Sequence, residues 1–183
     1  MQPDSTPAND ADSEEGRVFY AHEQEAVRIW TAHNPSWRYV ETRRDENSVI
    51  DGLLVTDIDS DTSVLRALVE FKVRDMSLHQ LMGEFGGEWL ITESKIVRAA
   101  ETARFCCVPL VGFLYLIPDR LLLTQQLAGK DGAAVDRRIE KSYTQNTCRD
   151  YTKVERVNAY IQMRDAKQWR SVGGERGVPA SPR

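Results

Sequence analysis

Residues 65–73, LRALVEFKV, alternate between two kinds of side chain with a period of two. The spacing predicts a β-strand with Leu65, Ala67, Val69, Phe71 and Val73 on one face. Leu68, Glu70 and Lys72 then share the other face, so an acid and a base two residues apart point the same way. A second segment, VPLVGFLYLI at 108–117, is an apolar run ended by Pro118. Such a run fits a central strand buried on both faces.

Other segments arrange themselves around these strands. Residues 17–33 read as a helix, with Phe19, Ala26 and Trp30 on one stripe and Val27 and Ile29 on its flanks. Asn34-Pro35 stops it. Trp37–Glu41 reads as a short strand, 42–48 as a polar turn and Val49–Val55 as a second strand. The acidic TDIDSDTS stretch forms a hairpin loop. Residues 74–91, with Gly83, Gly86 and Gly87, follow no clear pattern. A helix is expected from Thr92, its N-cap, with Ile96, Ala100 and Ala103 on one side. Residues 119–128 are read as a short helix and 152–169 as a longer one, with Val154, Val157, Ile161 and Ala166 loosely spaced. The fold expected is α/β: a mixed central sheet, made of an antiparallel meander plus a crossover strand, flanked by helices.

At roughly 150 residues per domain, 183 residues make one domain with tails. Residues 1–16 lack apolar periodicity and read as a disordered tail, as do residues 171–183. Residues 17–170 form the expected domain, with its core at 17–117 and a C-terminal helical part at 119–170. No apolar run approaches the ~18 residues of a membrane span. The acidic N-terminus is the opposite of a signal peptide, so a cytoplasmic protein with no membrane partner is expected. The cysteines, Cys106, Cys107 and Cys148, have no CxxC spacing, which argues for reduced thiols rather than a structural zinc site. Cys106-Cys107 is expected to be small buried apolar filling. Nothing resembles a P-loop or a dinucleotide fingerprint. His22, His33 and His79 are scattered. The net charge of −4 hides an asymmetry: residues 1–61 hold 14 acidic and 5 basic side chains, and residues 120–183 hold 7 and 13. The C-terminal third is therefore suited either to a polyanion or to an ordinary solvated face.

Three features carry chemistry. Asp51 stands among Val49, Ile50, Gly52 and Leu53, where a carboxylate is costly unless it is paired or binds a cation. Glu70 and Lys72 emerge together from one strand face. Glu23 falls on the apolar stripe of the first helix, whereas Glu25 points away. Each alone has a bland explanation: a turn residue, an exposed ion pair, a helix-start charge. Together, two carboxylates on adjacent strands make a hard oxygen site for Mg²⁺, and a lysine beside it can position a water and steady developing charge.

The order Glu23, Asp51 in IDGLLV, and Glu70-Phe71-Lys72 in VEFKVR resembles the PD-(D/E)XK nuclease superfamily. EFKVR followed by a glycine-containing segment and EWLITESK is similar to its phage and resolvase-like members. Residues 17–117 match the superfamily's helix, three-stranded meander, crossover helix and further strand. The resemblance implies a restriction-endonuclease-like fold and a Mg²⁺-dependent deoxyribonuclease, with Mn²⁺ able to substitute. It implies Asp51 and Glu70 as metal ligands, Lys72 as the catalytic lysine, and Glu23 completing the site. It also implies Arg74 and Lys95 as DNA contacts, and a homodimer where both strands are cut. Ile50 stands where the superfamily often has proline, and Glu70 follows Asp51 by 19 positions, a long spacing that the hairpin loop accounts for. The alternative is a catalytically inactive nucleic-acid-binding or assembly module on the same fold.

Overall fold

A computed structural model describes residues 14–42, 48–57, 59, 61–145 and 152–172. These form α1 (Glu14–His33), β1 (Arg38–Glu41), β2 (Gly52–Asp57), β3 (Ser63–Arg74), α2 (Leu78–Gly83) and β4 (Glu88–Thr92). There follow α3 (Glu93–Cys106), β5 (Leu110–Leu116), β6 (Leu121–Ala128), β7 (Arg138–Gln145), β8 (Lys153–Gln162) and β9 (Lys167–Trp169). Six strands make one sheet in the order β1-β2-β3-β5-β6-β9, and β4-β8-β7 make a second. β1, β2 and β3 form an antiparallel meander, and β3 pairs with β5 in parallel after the α3 crossover. This is the mixed α/β fold expected from the sequence.

The alternation of β3 divides the interior into two cores. Ala67, Val69, Phe71 and Val73 face α1, packing with Ala26, Ile29 and Trp30. Leu68 faces the other way, into a core with Ile96, Ala99, Ala100 and Ala103 of α3. Trp89, Ile91, Ala159 and Ile161 of the second sheet join that same core. β5 supplies both sides, sending Phe113 and Tyr115 to one core and Leu110, Leu114 and Leu116 to the other. Each of these large side chains stabilises the fold by roughly 1.5–3 kcal/mol through burial.

Several expectations need correction. The described residues of the expected C-terminal helical part carry strands, not helices: 121–128 is strand β6, and β8 and β9 occupy 153–162 and 167–169. The Leu121-Leu122-Leu123 run is buried on alternate faces, with Leu122 in the α1 core and its neighbours in the α3 core. In β8, Val154, Val157 and Ile161 imitate helical spacing, but the strand is the centre of the second sheet, paired on both sides. Leu65 packs with the α3 core rather than beside Ala67. A register irregularity between Leu54 and Val55 leaves Arg66 as the extra residue and reverses the alternation there. α1 begins at Glu14, so residues 14–16 are helical. Cys106 and Cys107 are exposed, because Cys107 ends α3 in a left-handed conformation (φ 55°). The proposed tails at 1–13 and 173–183, and Cys148, lie outside the described residues. Among the described residues no helix is long and apolar enough to cross a membrane.

Candidate active site

Asp51, Glu70, Lys72 and Lys95 meet on the α3 side of the large sheet. Asp51 lies one residue before β2, and its backbone is tied on two sides. Its amide donates to the Val69 carbonyl at 2.9 Å. Its carbonyl accepts from the Thr42 amide at 3.2 Å and from the Tyr39 hydroxyl at 3.1 Å. Its side chain does what a neighbouring strand would do, since Oδ2 accepts the Phe71 amide at 2.7 Å. The Tyr39 ring lies over the next residue, Gly52, so closely that a Cβ there would overlap it. Gly52→Ala is therefore expected to destabilise the fold by about 1–3 kcal/mol through overpacking, and a thermal melt measures it.

Glu70 projects from β3 toward α3 and the second sheet. It is only 2% exposed. In the parallel pair with β5 its register partner is Gly112, and the Trp89 indole fills the space a Gly112 side chain would take. Lys72 Nζ lies 2.8 Å from Glu70 Oε1 and donates to the Phe71 carbonyl at 3.0 Å. Lys95, in the first turn of α3, reaches both acids. Its Nζ donates to Glu70 Oε1 at 2.9 Å and lies 3.4 Å from Asp51 Oδ1. It is also 2.9 Å from Glu70 Oε2, but outside hydrogen-bond geometry. Oε2 is thus a buried acceptor with no donor.

The two carboxylates are driven apart electrostatically. Burial pushes the Glu70 carboxyl above its ordinary value, and the Asp51 charge adds to that, against the opposing pull of Lys72 and Lys95. Burial also works against ionisation of Asp51, but Lys72, Lys95 and the Phe71 amide outweigh it and hold Asp51 below the usual carboxylate range. Lys95 is raised: burial favours its neutral form, and the pull of Glu70 and Asp51 overcomes that. The lowered Asp51 sets a pH signature. Its charge stabilises the folded chain above pH 3.8, the unperturbed value, and that stabilisation fades as pH falls through the folded-state value. Asp51→Asn should accordingly be less stable than wild type at pH 7, by about 1 kcal/mol for one charge-assisted hydrogen bond and its ion pairs. The gap should close in acid below that range, as measured by urea denaturation across pH.

Of the residues singled out in the sequence, the fold gathers Asp51, Glu70, Lys72 and Lys95. Arg74 continues the Glu70-Lys72 row along the same face of β3 and donates to the Val73 carbonyl at 3.0 Å. Glu23 needs correction. Its helix packs on the Val69-Phe71 face, opposite Glu70. Among the described residues no three acidic, histidine or cysteine side chains gather to hold a metal, so Glu23 does not complete the pair. The expectation that Glu25 points away is also corrected: it lies against the buried Tyr115 and pairs with Arg120, on the face of the sheet opposite Glu70. The resemblance brings Lys95, on the helix after the motif, toward the site; the fold places its ammonium between the two acids, in contact with both. A helix start at Thr92 puts Lys95 in the first turn of α3.

A divalent metal fits these residues in part. Asp51 Oδ1 and the donorless Glu70 Oε2 are hard oxygens on one face, the donor type that Mg²⁺ takes, and a Mg²⁺ site completes its shell with waters. Two carboxylates are enough for such a site.

No family model matches the chain, and no curated protein matches it. Among solved structures the chain is similar to D212, a nuclease from a fusselovirus, with 11% sequence identity and a TM-score of 0.41. That similarity covers 85% of this chain and 83% of D212.

Proposed function

We propose that the protein is a metal-dependent nuclease that hydrolyses phosphodiester bonds in DNA. The observation that carries this reading is a chain of two carboxylates and two ammonium groups on one sheet face: Lys72 contacts Glu70 at 2.8 Å, and Lys95 contacts Glu70 at 2.9 Å and Asp51 at 3.4 Å. Asp51 and Glu70 would hold the Mg²⁺ or Mn²⁺ ion, which when bound supplies a Lewis acid and lowers the pKa of a coordinated water. Lys72, fixed by Glu70 Oε1 and the Phe71 carbonyl, orients the attacking water and offsets charge that builds on the phosphate. The Phe71 amide keeps Asp51 ionised and aimed at the site. Arg74, farther along the row, contacts a neighbouring phosphate. The basic excess of the C-terminal third contributes less than its count suggests: Arg137, Arg138 and Lys141 are each paired with a glutamate.

A second reading, a DNA-binding module without catalysis, is favoured by one feature. The four charged groups already neutralise one another without any metal. Both readings predict salt-dependent DNA binding. Incubation with plasmid, branched and single-stranded DNA separates them. The nuclease reading predicts cleavage with Mg²⁺ and none with EDTA. Binding without cleavage of any substrate would leave the second reading standing.

A further inference from the structure

Lys95 stands between the two carboxylates that would hold a metal ion. Its Nζ is 2.9 Å from both oxygens of Glu70 and 3.4 Å from Asp51 Oδ1, the same oxygens that would bind a divalent ion. A Mg²⁺ ion sits about 2.0–2.1 Å from its ligands, so the ion and this ammonium cannot share the space between the carboxylates. Leaving both there would also set like charges against each other in a partly buried site. Lys95 can leave. It sits in the first turn of α3 on a flexible four-carbon stem, and its side chain is 34% exposed. Lys72 cannot take over this role, because its ammonium is held by Glu70 Oε1 and the Phe71 carbonyl. Glu70 Oε2 meets Lys95 at 2.9 Å as an ion pair, without hydrogen-bond geometry.

We infer that Lys95 is a built-in counter-ion that occupies the metal position of the empty site and must swing out for a divalent ion to bind. Together with Lys72, the ammonium offsets the charges of the buried Glu70 and the half-buried Asp51, at the cost of weakening metal affinity. Once displaced, the Lys95 ammonium is free to pair with a phosphate oxygen. The inference rests on the metal reading of Asp51 and Glu70.

The test uses Mn²⁺ alone with the full chain, measured by titration calorimetry. Lys95→Met and Lys95→Gln should each bind Mn²⁺ at least about tenfold more tightly than wild type. Adding Asp51→Asn to Lys95→Met should remove that gain. A second measurement needs no variant: the rate of amine acylation at Lys95, followed by mass spectrometry, should rise severalfold when Mn²⁺ is added to wild type. If wild type binds Mn²⁺ through Asp51 but the Lys95 variants bind no more tightly and acylation does not change, the exchange is overturned and the metal site survives. If no form binds Mn²⁺, the exchange and the metal reading fall together.

Discussion

Lys72→Ala is expected to cut DNA about 10³-fold more slowly than wild type under single-turnover conditions with saturating Mg²⁺, roughly 4 kcal/mol of transition-state stabilisation. The loss should fall on kcat, with KM changed only a few-fold, because Lys72 is paired with the buried Glu70 carboxylate. Stability should suffer far less. Glu70 keeps Lys95 as a partner, so the buried carboxylate is not left alone. Lys72→Arg should not restore the rate. A planar guanidinium cannot reach both Glu70 Oε1 and the Phe71 carbonyl from the position of a single ammonium. A rate within tenfold of wild type for Lys72→Ala would remove Lys72 from the chemistry.

Gly112→Val should be the most damaging single change away from the charged groups. A Cβ at Gly112 would overlap the six-membered ring of Trp89 and come within 3.0 Å of Leu127 Cδ1. Trp89 is almost fully buried and ties the second sheet to the main core, so the indole has nowhere to move. An overpacking cost of about 3 kcal/mol follows, which lowers Tm by roughly 6–12 °C in a chain of this length. The site should feel it as well. Trp89 fills the place beside Glu70, and a displaced indole admits water to that carboxylate. Gly112→Val should therefore weaken cleavage even at temperatures where the chain is folded. A melting temperature equal to that of wild type would show that the Trp89–Gly112 contact does not limit the core.

The strands that were legible in the sequence are those whose pattern has one physical cause. β3 alternates because its two faces meet different cores, and β5 is apolar throughout because both of its faces are covered. The Glu70-Lys72 pair was legible for the same reason: strand phase decides which heads share a face. Asp51 was legible from its apolar neighbours instead, since it lies one residue before β2 rather than within it. β6 and β8 were not, because their partners decide them. Leu121 to Leu123 can sit in a helix or in a doubly buried strand, and only the neighbours β5 and β9 choose. Glu23 failed on a global feature, the side of the sheet on which α1 lies. Phe71 and Glu70 point to opposite faces, and nothing local states which face a preceding helix covers. The phase slip at Arg66 is invisible for a similar reason, since a bulge is a property of two strands together.

The central claim is that Asp51 and Glu70 together hold a divalent ion. A crystal of the full chain soaked in Mn²⁺ tests it most directly through the anomalous signal of manganese. The account predicts one strong peak about 2.1 Å from an oxygen of Asp51 and an oxygen of Glu70, with the Lys95 ammonium drawn away from both. A map with no peak there, and Lys95 still bridging the two carboxylates at high Mn²⁺, would contradict it.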